Sequence, residues 1–312
     1  MQDIMQKPRP DNKVPLRTYL WNNKVFYLMM VVPLVYYIVF CYVPMFGIVI
    51  AFQKYSPRLG FFRSEWVGLK HFRILFNSND FPLVMRNTVV ISLLRLAWGF
   101  PMPIIFSLML NEVRNSIFKR VTQSISYMPH FLSWVIMGGL ITAMFSLKGP
   151  INALFKSFGW DPVIFLQSEP HIRSILVLTA IWKEVGWGTL LYLAAIAGVD
   201  SELYEAAVID GAGRFKQMRY VTLPAILPTV IILLIMSTGG ILNAGFEQIM
   251  MLQNVMTRPV IEIIDTYVWK MGIVDGGYSY AGAAGLFKSV VGMALVLFSN
   301  AMARRFGETS LL

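Results

Sequence analysis

The chain has a single cysteine, Cys41, set inside an apolar run. One thiol allows no internal disulfide and no cysteine cluster for a metal. The three histidines, His71, His130 and His171, lie far apart without ligand spacing, so none is read as a metal ligand. Charge is scarce: 14% of the 312 residues are Asp, Glu, Lys or Arg, and 56% are hydrophobic. A soluble domain carries about 25% charged residues. With a mean hydropathy of +0.59, the composition excludes an ordinary soluble domain and makes lipid the solvent for most of the surface. No G-x-x-x-x-G-K-[ST] loop is present to cradle a nucleotide phosphate. G-x-S-x-G, H-E-x-x-H and paired carboxylates at a plausible site are missing too. No catalytic residue, metal site or cofactor is therefore assigned to this chain.

The net charge is +10, which in another setting points to nucleic acid. Here the basic residues flank apolar runs, as loops do beside anionic leaflets, so membrane lipid is the expected partner and nucleic acid is not. The first apolar run is too long and too late for a cleaved signal peptide, no A-x-A-like site follows it, and it is expected to remain as an anchor.

About 20 mostly apolar residues cross a bilayer as a helix. Six stretches qualify: 25–52, 83–110, 125–147 (kinked near Pro129), 172–199, 223–244 and 280–303. The expected fold is an all-α membrane protein of six transmembrane helices. Its organisation is a basic, disordered tail (1–24), a first helix with an external loop (25–82), a core (83–305) and a C-terminal tail (306–312). Six spans place both termini on one side. With the N-terminus inside, thirteen Lys and Arg fall on the cytoplasmic side and eleven outside, counting Arg86 and Arg173 at the outer ends of their spans. That margin is small, and the basic tail decides for a cytoplasmic N-terminus. The glycine pairs Gly138–Gly139 and Gly239–Gly240 suit close helix contact. In the external loop, Trp66, Leu69, Phe72, Leu75 and Phe76 share one helical face. That helix either lies on the membrane surface or packs on the outer ends of other spans.

Between the fourth and fifth spans stands a polar island, EAAVIDGAGRFKQMRYVTLP, at 205–224. Glu202, Glu205 and Asp210 precede Gly211 and Gly213; Arg214, Lys216 and Arg219 follow; Leu223 and Pro224 close it. Ala206 and Ala207 are small enough for close approach to a groove. Glu205 can accept charge-assisted bonds from a partner's arginine. Gly211 and Gly213 break the helix and permit backbone angles closed to other residues. Asp210 is placed to cap the turn that follows, and Pro224 to begin the fifth span. Each feature alone serves local folding; together, and in this order, they resemble the EAA loop of permease subunits in ATP-driven importers. Val221 stands where that family usually has Ile.

The resemblance extends over 66–305. Asn87–Thr88 resembles the pair that opens the permease core. The stretches NEVRNSIFKRVTQSISYMPHFLSWV from Asn111 and WKEVGWGTLLYLAAIAGVDSELYEAA from Trp182 are similar to oligosaccharide permeases of the maltose-permease-related branch. The resemblance implies a cytoplasmic coupling-helix loop (200–224) and pairing with a second permease subunit. It also implies two copies of an ATPase that carry ATP and Mg, an external solute-binding protein, an oligosaccharide substrate, and a place in the cell membrane. Glu205, Ala206, Ala207, Asp210, Gly211, Gly213, Leu223 and Pro224 are then the ATPase-coupling residues.

Ionisable residues inside spans usually face a bundle interior or a water-filled path. Arg95, Lys183, Glu184 and Lys288 are the four here. Lys183 and Glu184, about 100° apart on a helix, are not expected to pair with each other. They sit beside Trp182, Trp187 and Tyr192, a set suited to a saccharide path; Asn243, Glu247, Gln248, Gln253 and Asn254 add polar groups near the end of the fifth span. The competing reading is snorkelling and interhelical hydrogen bonding, which weighs more for Arg95 and Lys288. Basic groups in such a path would suit acidic sugars. Other classes kept open are a permease for a peptide or polyamine, a stand-alone channel or membrane scaffold, and a membrane-embedded enzyme. The sequence shows neither the charged ring nor the filter a channel needs.

Overall fold

The computed structural model describes residues 16–305. Positions 1–15 and 306–312, parts of the two expected tails, lie outside the described residues. Residues Leu16–Asn22 form a helix where a disordered tail was expected, and Lys24 lies over the Trp21 ring at 4.4 Å.

Six helices are long and apolar enough to cross a membrane: Lys24–Phe52, Asp80–Glu112, Trp134–Ser157, Glu169–Ala197, Arg214–Gly239 and Tyr278–Met302. Three of them contain one wide π turn just before a proline. These turns are Ile38–Tyr42 before Pro44, Arg95–Gly99 before Pro101, and Met218–Thr222 before Pro224. Proline lacks an N–H and its ring collides with the carbonyl four residues back, here Phe40, Ala97 and Tyr220. One extra residue in the preceding turn relieves both problems, so the helix continues. This corrects the reading of Pro224: the fifth span begins at Arg214, and Pro224 sits within it.

The third span also departs from expectation. In place of a kinked helix over 125–147, Ser116–Tyr127 is a separate helix, followed by a tight turn at Met128–Phe131. The span proper starts at Trp134, where the Ser133 hydroxyl accepts from the Ile136 N–H at 3.4 Å. The separate helix is capped by Asn115, whose Oδ1 accepts from the Ile117 and Phe118 amides. It is amphipathic, unlike a lipid-embedded span. The fifth span ends at Gly239, short of the expected Ala244, and the chain then turns through left-handed Ala244 and Gly245.

Two clusters hold the bundle together. One joins Ile91, Met137, Ile141, Ile172 and Leu176 to Ile249 and Ile261 of the segment after the fifth span. The other joins Leu75, Phe81 and Val84 to Ile264, Tyr267 and Ala284. Fully buried Asn87 and Thr88 fasten the second span to that same segment. Asn87 donates to the Pro259 carbonyl and accepts from Arg173, and Thr88 Oγ1 accepts from the Ile264 amide. Gly138 admits Met251, and Gly239 sits against Val296, so one glycine of each pair marks a close contact.

The loop between the first and second spans packs on protein through Leu75, while Trp66, Leu69 and Phe76 keep exposed surface. Glu65–Trp66 pairs antiparallel with Gln53–Lys54, Trp66 stacks on Phe52, and the helix Lys70–Phe76 buries Leu75. Phe76 packs edge-on against Phe81 and Phe287. The first span, in contrast, is almost wholly exposed over its apolar length.

Candidate functional site

The polar island folds into a short helix, Ser201–Ile209, and a turn leading directly into the fifth span. Asp200 starts the helix by accepting the Glu202 amide at 3.0 Å. The other end closes in a double hydrogen bond, Ala212 N–H to Ala207 O (2.8 Å) and Gly211 N–H to Val208 O (3.0 Å). That pattern requires a left-handed residue after the cap, and Gly211 supplies it at φ 72°. Gly213 does not share this role. Its φ of −68° and ψ of 167° are open to any residue, and no atom lies near enough to oppose a side chain. Asp210 also departs from expectation: it ends the first helix, and no side-chain bond of its own caps the next turn.

No residue of Ser201–Ile209 is buried. Leu203 and Ile209 are exposed, Ile209 at 85%, and Glu205 and Ala206 share that open surface. One side-chain contact ties this helix to the bundle, and another ties the fifth span it leads into. The Tyr204 hydroxyl meets Thr222 Oγ1 at 2.9 Å, reaching the π turn of the fifth span. Arg214 pairs with Glu112 at the end of the second span, 3.8 Å away. A push on this helix is thus shared by the second, fourth and fifth spans. Leu223 and Pro224 are exposed, just after the π turn within the fifth span. The sequence singled out neither Asp200 nor Tyr204, although an aspartate just before a helical run is a recognisable N-cap signal.

The residues expected along a path separate into two groups. In the fourth span, Lys183 is buried and its Nζ donates to the carbonyls of His130 (2.6 Å) and Pro129 (3.3 Å). It fastens the tight turn to the span. Glu184 pairs with His130 Nδ1 at 2.8 Å and, against expectation, lies 3.8 Å from Lys183 Nζ. Their side chains bend back along the helix despite the 100° offset. The His130 ring lies flat on Trp187 at 4.5 Å. Tyr192 is buried and Trp182 exposed. Gly186 lets this helix meet the Ser126 backbone; an added Cβ would overlap its carbonyl.

The second group surrounds the turn after the fifth span. Asn243 lines two cavities, of about 390 and 480 Å³. In the larger one, Lys288 donates to both Asp265 oxygens at 2.6 Å and to Asn243 Oδ1 at 2.8 Å. Lys288 is therefore held in an ion pair and does not snorkel. The smaller cavity is lined by Ser92, Arg95, Ser237, Asn243 and Gly245, among others. Arg95 does not snorkel either: its Nη2 donates to Gln248 Oε1. Glu247 is exposed at the start of the next helix, Phe246–Leu252, and lines neither cavity. The sequence brought Asn243 and Gln248 forward together, and Arg95 separately, but gave no sign that Arg95 meets Gln248 and Gly245 beside Asn243, because they come from two elements about 150 residues apart.

Residues 99–308 match the family model described as binding-protein-dependent transport system inner membrane component. Two curated proteins of Bacillus subtilis are similar over nearly the whole chain. Protein LplB is 47% identical over 94% of this chain and 92% of its own length. The polygalacturonan/rhamnogalacturonan transport system permease protein YteP is 48% identical over 93% and 90%. Among solved structures, a bacterial ABC transporter that imports the acidic polysaccharide alginate has a chain 38% identical. It covers 93% of this chain and 98% of its own, with a TM-score of 0.86. The alginate transporter solved with an alginate pentasaccharide-bound periplasmic protein matches at TM-score 0.87 and 37% identity, over 95% of this chain and 99% of its own. The chain is a multi-pass membrane protein and belongs to the family of inner membrane components of binding-protein-dependent transport systems, the permease subunits of ABC importers.

Proposed function

We propose that this chain is one of two permease subunits of an importer for acidic oligosaccharides. An external binding protein delivers the substrate, and two separate ATPase subunits drive the cycle. The observation that carries the coupling part is the helix Ser201–Ile209: none of its residues is buried, yet it follows the fourth span and Tyr204 bonds it to the fifth. ATPase closure pushes on Leu203, Glu205, Ala206 and Ile209, and the rigid turn at Gly211 passes the movement to the fifth span. Glu205 takes a basic group of the ATPase, and Ala206 and Ala207 let the helix settle into its groove. This places the N-terminus in the cytoplasm. The exposed first span, together with Ile117, Phe118, Val121 and Ile125 on the helix before the third span, offers apolar surface for the second permease and for lipid.

The acidic class of substrate is supported by the polygalacturonan and alginate transporters among the similar proteins. Asn243 is the path residue favoured here, because it faces two cavities. Of the fourth-span set, Lys183, Glu184 and Trp187 serve first to hold the tight turn at Met128–Phe131. The test is ATP hydrolysis by the complex in lipid nanodiscs, with the binding protein and a panel of acidic and neutral oligosaccharides. Stimulation by acidic members supports the reading. Stimulation by neutral members alone removes the substrate class, and failure of any ATPase to assemble on this chain removes the coupling role.

A further inference from the structure

The ionisable side chains within the spans are not equivalent. Lys183 and Glu184 lie within ion-pair distance of each other, Glu184 also holds His130, and Lys288 is neutralised by Asp265. All three protons of Lys288 are taken by Asp265 and Asn243. Among the described residues, Arg95 has no carboxylate within ion-pair distance; Glu184 acts on it only from farther away. Its one side-chain partner is the neutral Gln248. Among the described residues, the buried Nε of Arg95 has no hydrogen-bond partner. A desolvated charge left uncompensated is costly, and such a charge at the wall of a cavity is built to receive an anion.

The surroundings hold the guanidinium in place. Gln248 is fully buried, and its Nε2 donates to Leu176 O (2.9 Å) and Thr179 Oγ1 (2.7 Å). Its Oε1 is thereby turned toward Arg95. Gly245, at φ 82°, lies under the guanidinium, where an added Cβ would overlap it. The preceding Ala244 is left-handed at φ 45°, unusual for a residue with a side chain. Arg95 itself opens the π turn of the second span; such turns recur at functional sites. Ser92 bonds the Ile241 carbonyl and fixes the turn against the same helix. The cavity in front, about 390 Å³, falls within the roughly 300–1,000 Å³ of ligand sites.

We propose that Arg95 is the residue of this subunit that reads substrate charge, receiving a uronate carboxylate of the passing oligosaccharide beside Asn243 and Ser237. This rests on the acidic-saccharide reading above. Guanidinium suits the role because its planar fork matches a carboxylate with two bonds.

The test is uptake by the complete complex in proteoliposomes, with trigalacturonate and its methyl ester compared for wild type and Arg95→Gln. The binding protein is common to every arm, so its own preference cancels when the acid-to-ester ratio of the variant is divided by that of the wild type. Loss of one charge-assisted contact lowers that ratio about tenfold or more, the equivalent of about 1.4 kcal/mol. Arg95→Lys, which keeps the charge, retains most of the ratio. An assembled Arg95→Gln complex with the wild-type ratio overturns the assignment and leaves the substrate class standing. Wild type that carries neutral oligosaccharides and refuses trigalacturonate overturns both. If Arg95→Gln does not assemble, Gly245→Ala decides: displacing the guanidinium lowers the ratio, and an unchanged ratio counts against the assignment.

Discussion

Two glycines of the loop between the fourth and fifth spans, Gly211 and Gly213, are indistinguishable in the motif, and substitution separates them. Gly211 holds φ 72°, and alanine there costs about 1–2 kcal/mol. The helix it closes has no buried residue. Besides its internal bonds, the Asp200 cap, the two bonds at Gly211 and Ala212, and the Tyr204–Thr222 contact hold it. The cost therefore falls on local opening of the loop rather than on the bundle. An increment of 1–2 kcal/mol raises the open fraction about 5- to 30-fold. Hydrogen exchange in nanodiscs measures this directly. For Gly211→Ala, the Asp210 and Ala212 amides are expected to exchange faster by that factor, with the melting temperature of the spans unchanged. Gly213→Ser is the control. Its backbone angles are ordinary, the space around it is open, and serine is a favoured N-cap, so exchange in the isolated subunit stays at the wild-type rate. If Gly213→Ser nonetheless weakens co-purification of the ATPase, the partner must approach Gly213 itself. Equal acceleration in both variants, or none in Gly211→Ala, would refute the assignment of the turn.

Three further expectations concern the bundle. Asp265→Asn leaves Lys288 without its counter-charge and costs about 2–3 kcal/mol, less than the 3–5 of a fully buried pair because both side chains keep some exposure. Thermal unfolding of Asp265→Asn against the double variant Asp265→Leu/Lys288→Met checks it, since the double variant should recover most of the loss. Gly186→Ala forces a Cβ into the Ser126 carbonyl and destabilises by about 1–3 kcal/mol. Gly139→Ala meets nothing and should melt with the wild type. Asn87→Ala leaves the Pro259 carbonyl without its donor and takes an acceptor from Arg173. At about 1–3 kcal/mol for each group left unpaired, it should lower the melting temperature; an Asn87→Ala protein as stable as wild type would show that the second span is held by apolar packing alone.

Sequence alone determined the solvent and the punctuation. Scarce charge and long apolar runs require lipid, and four of the six spans begin and end within about three residues of their hydropathic limits. The polar island was legible because its residues are neighbours in the chain. Local hydrogen bonding then shapes it, as Gly211 illustrates. What sequence could not decide is how prolines and distant polar groups are accommodated. Pro224 looked like a helix start, because a widened preceding turn leaves no trace in hydropathy. The amphipathic helix Ser116–Tyr127 merged with the third span, because its apolar stripe joins the run beyond Pro129. Arg95 and Lys288 looked alike, each a lone cation among apolar residues. Only the tertiary structure gave Lys288 an aspartate and left Arg95 with a neutral glutamine and an open cavity. Each cation's energy depends on the charges within a few ångströms, and those come from segments that the chain order keeps far apart.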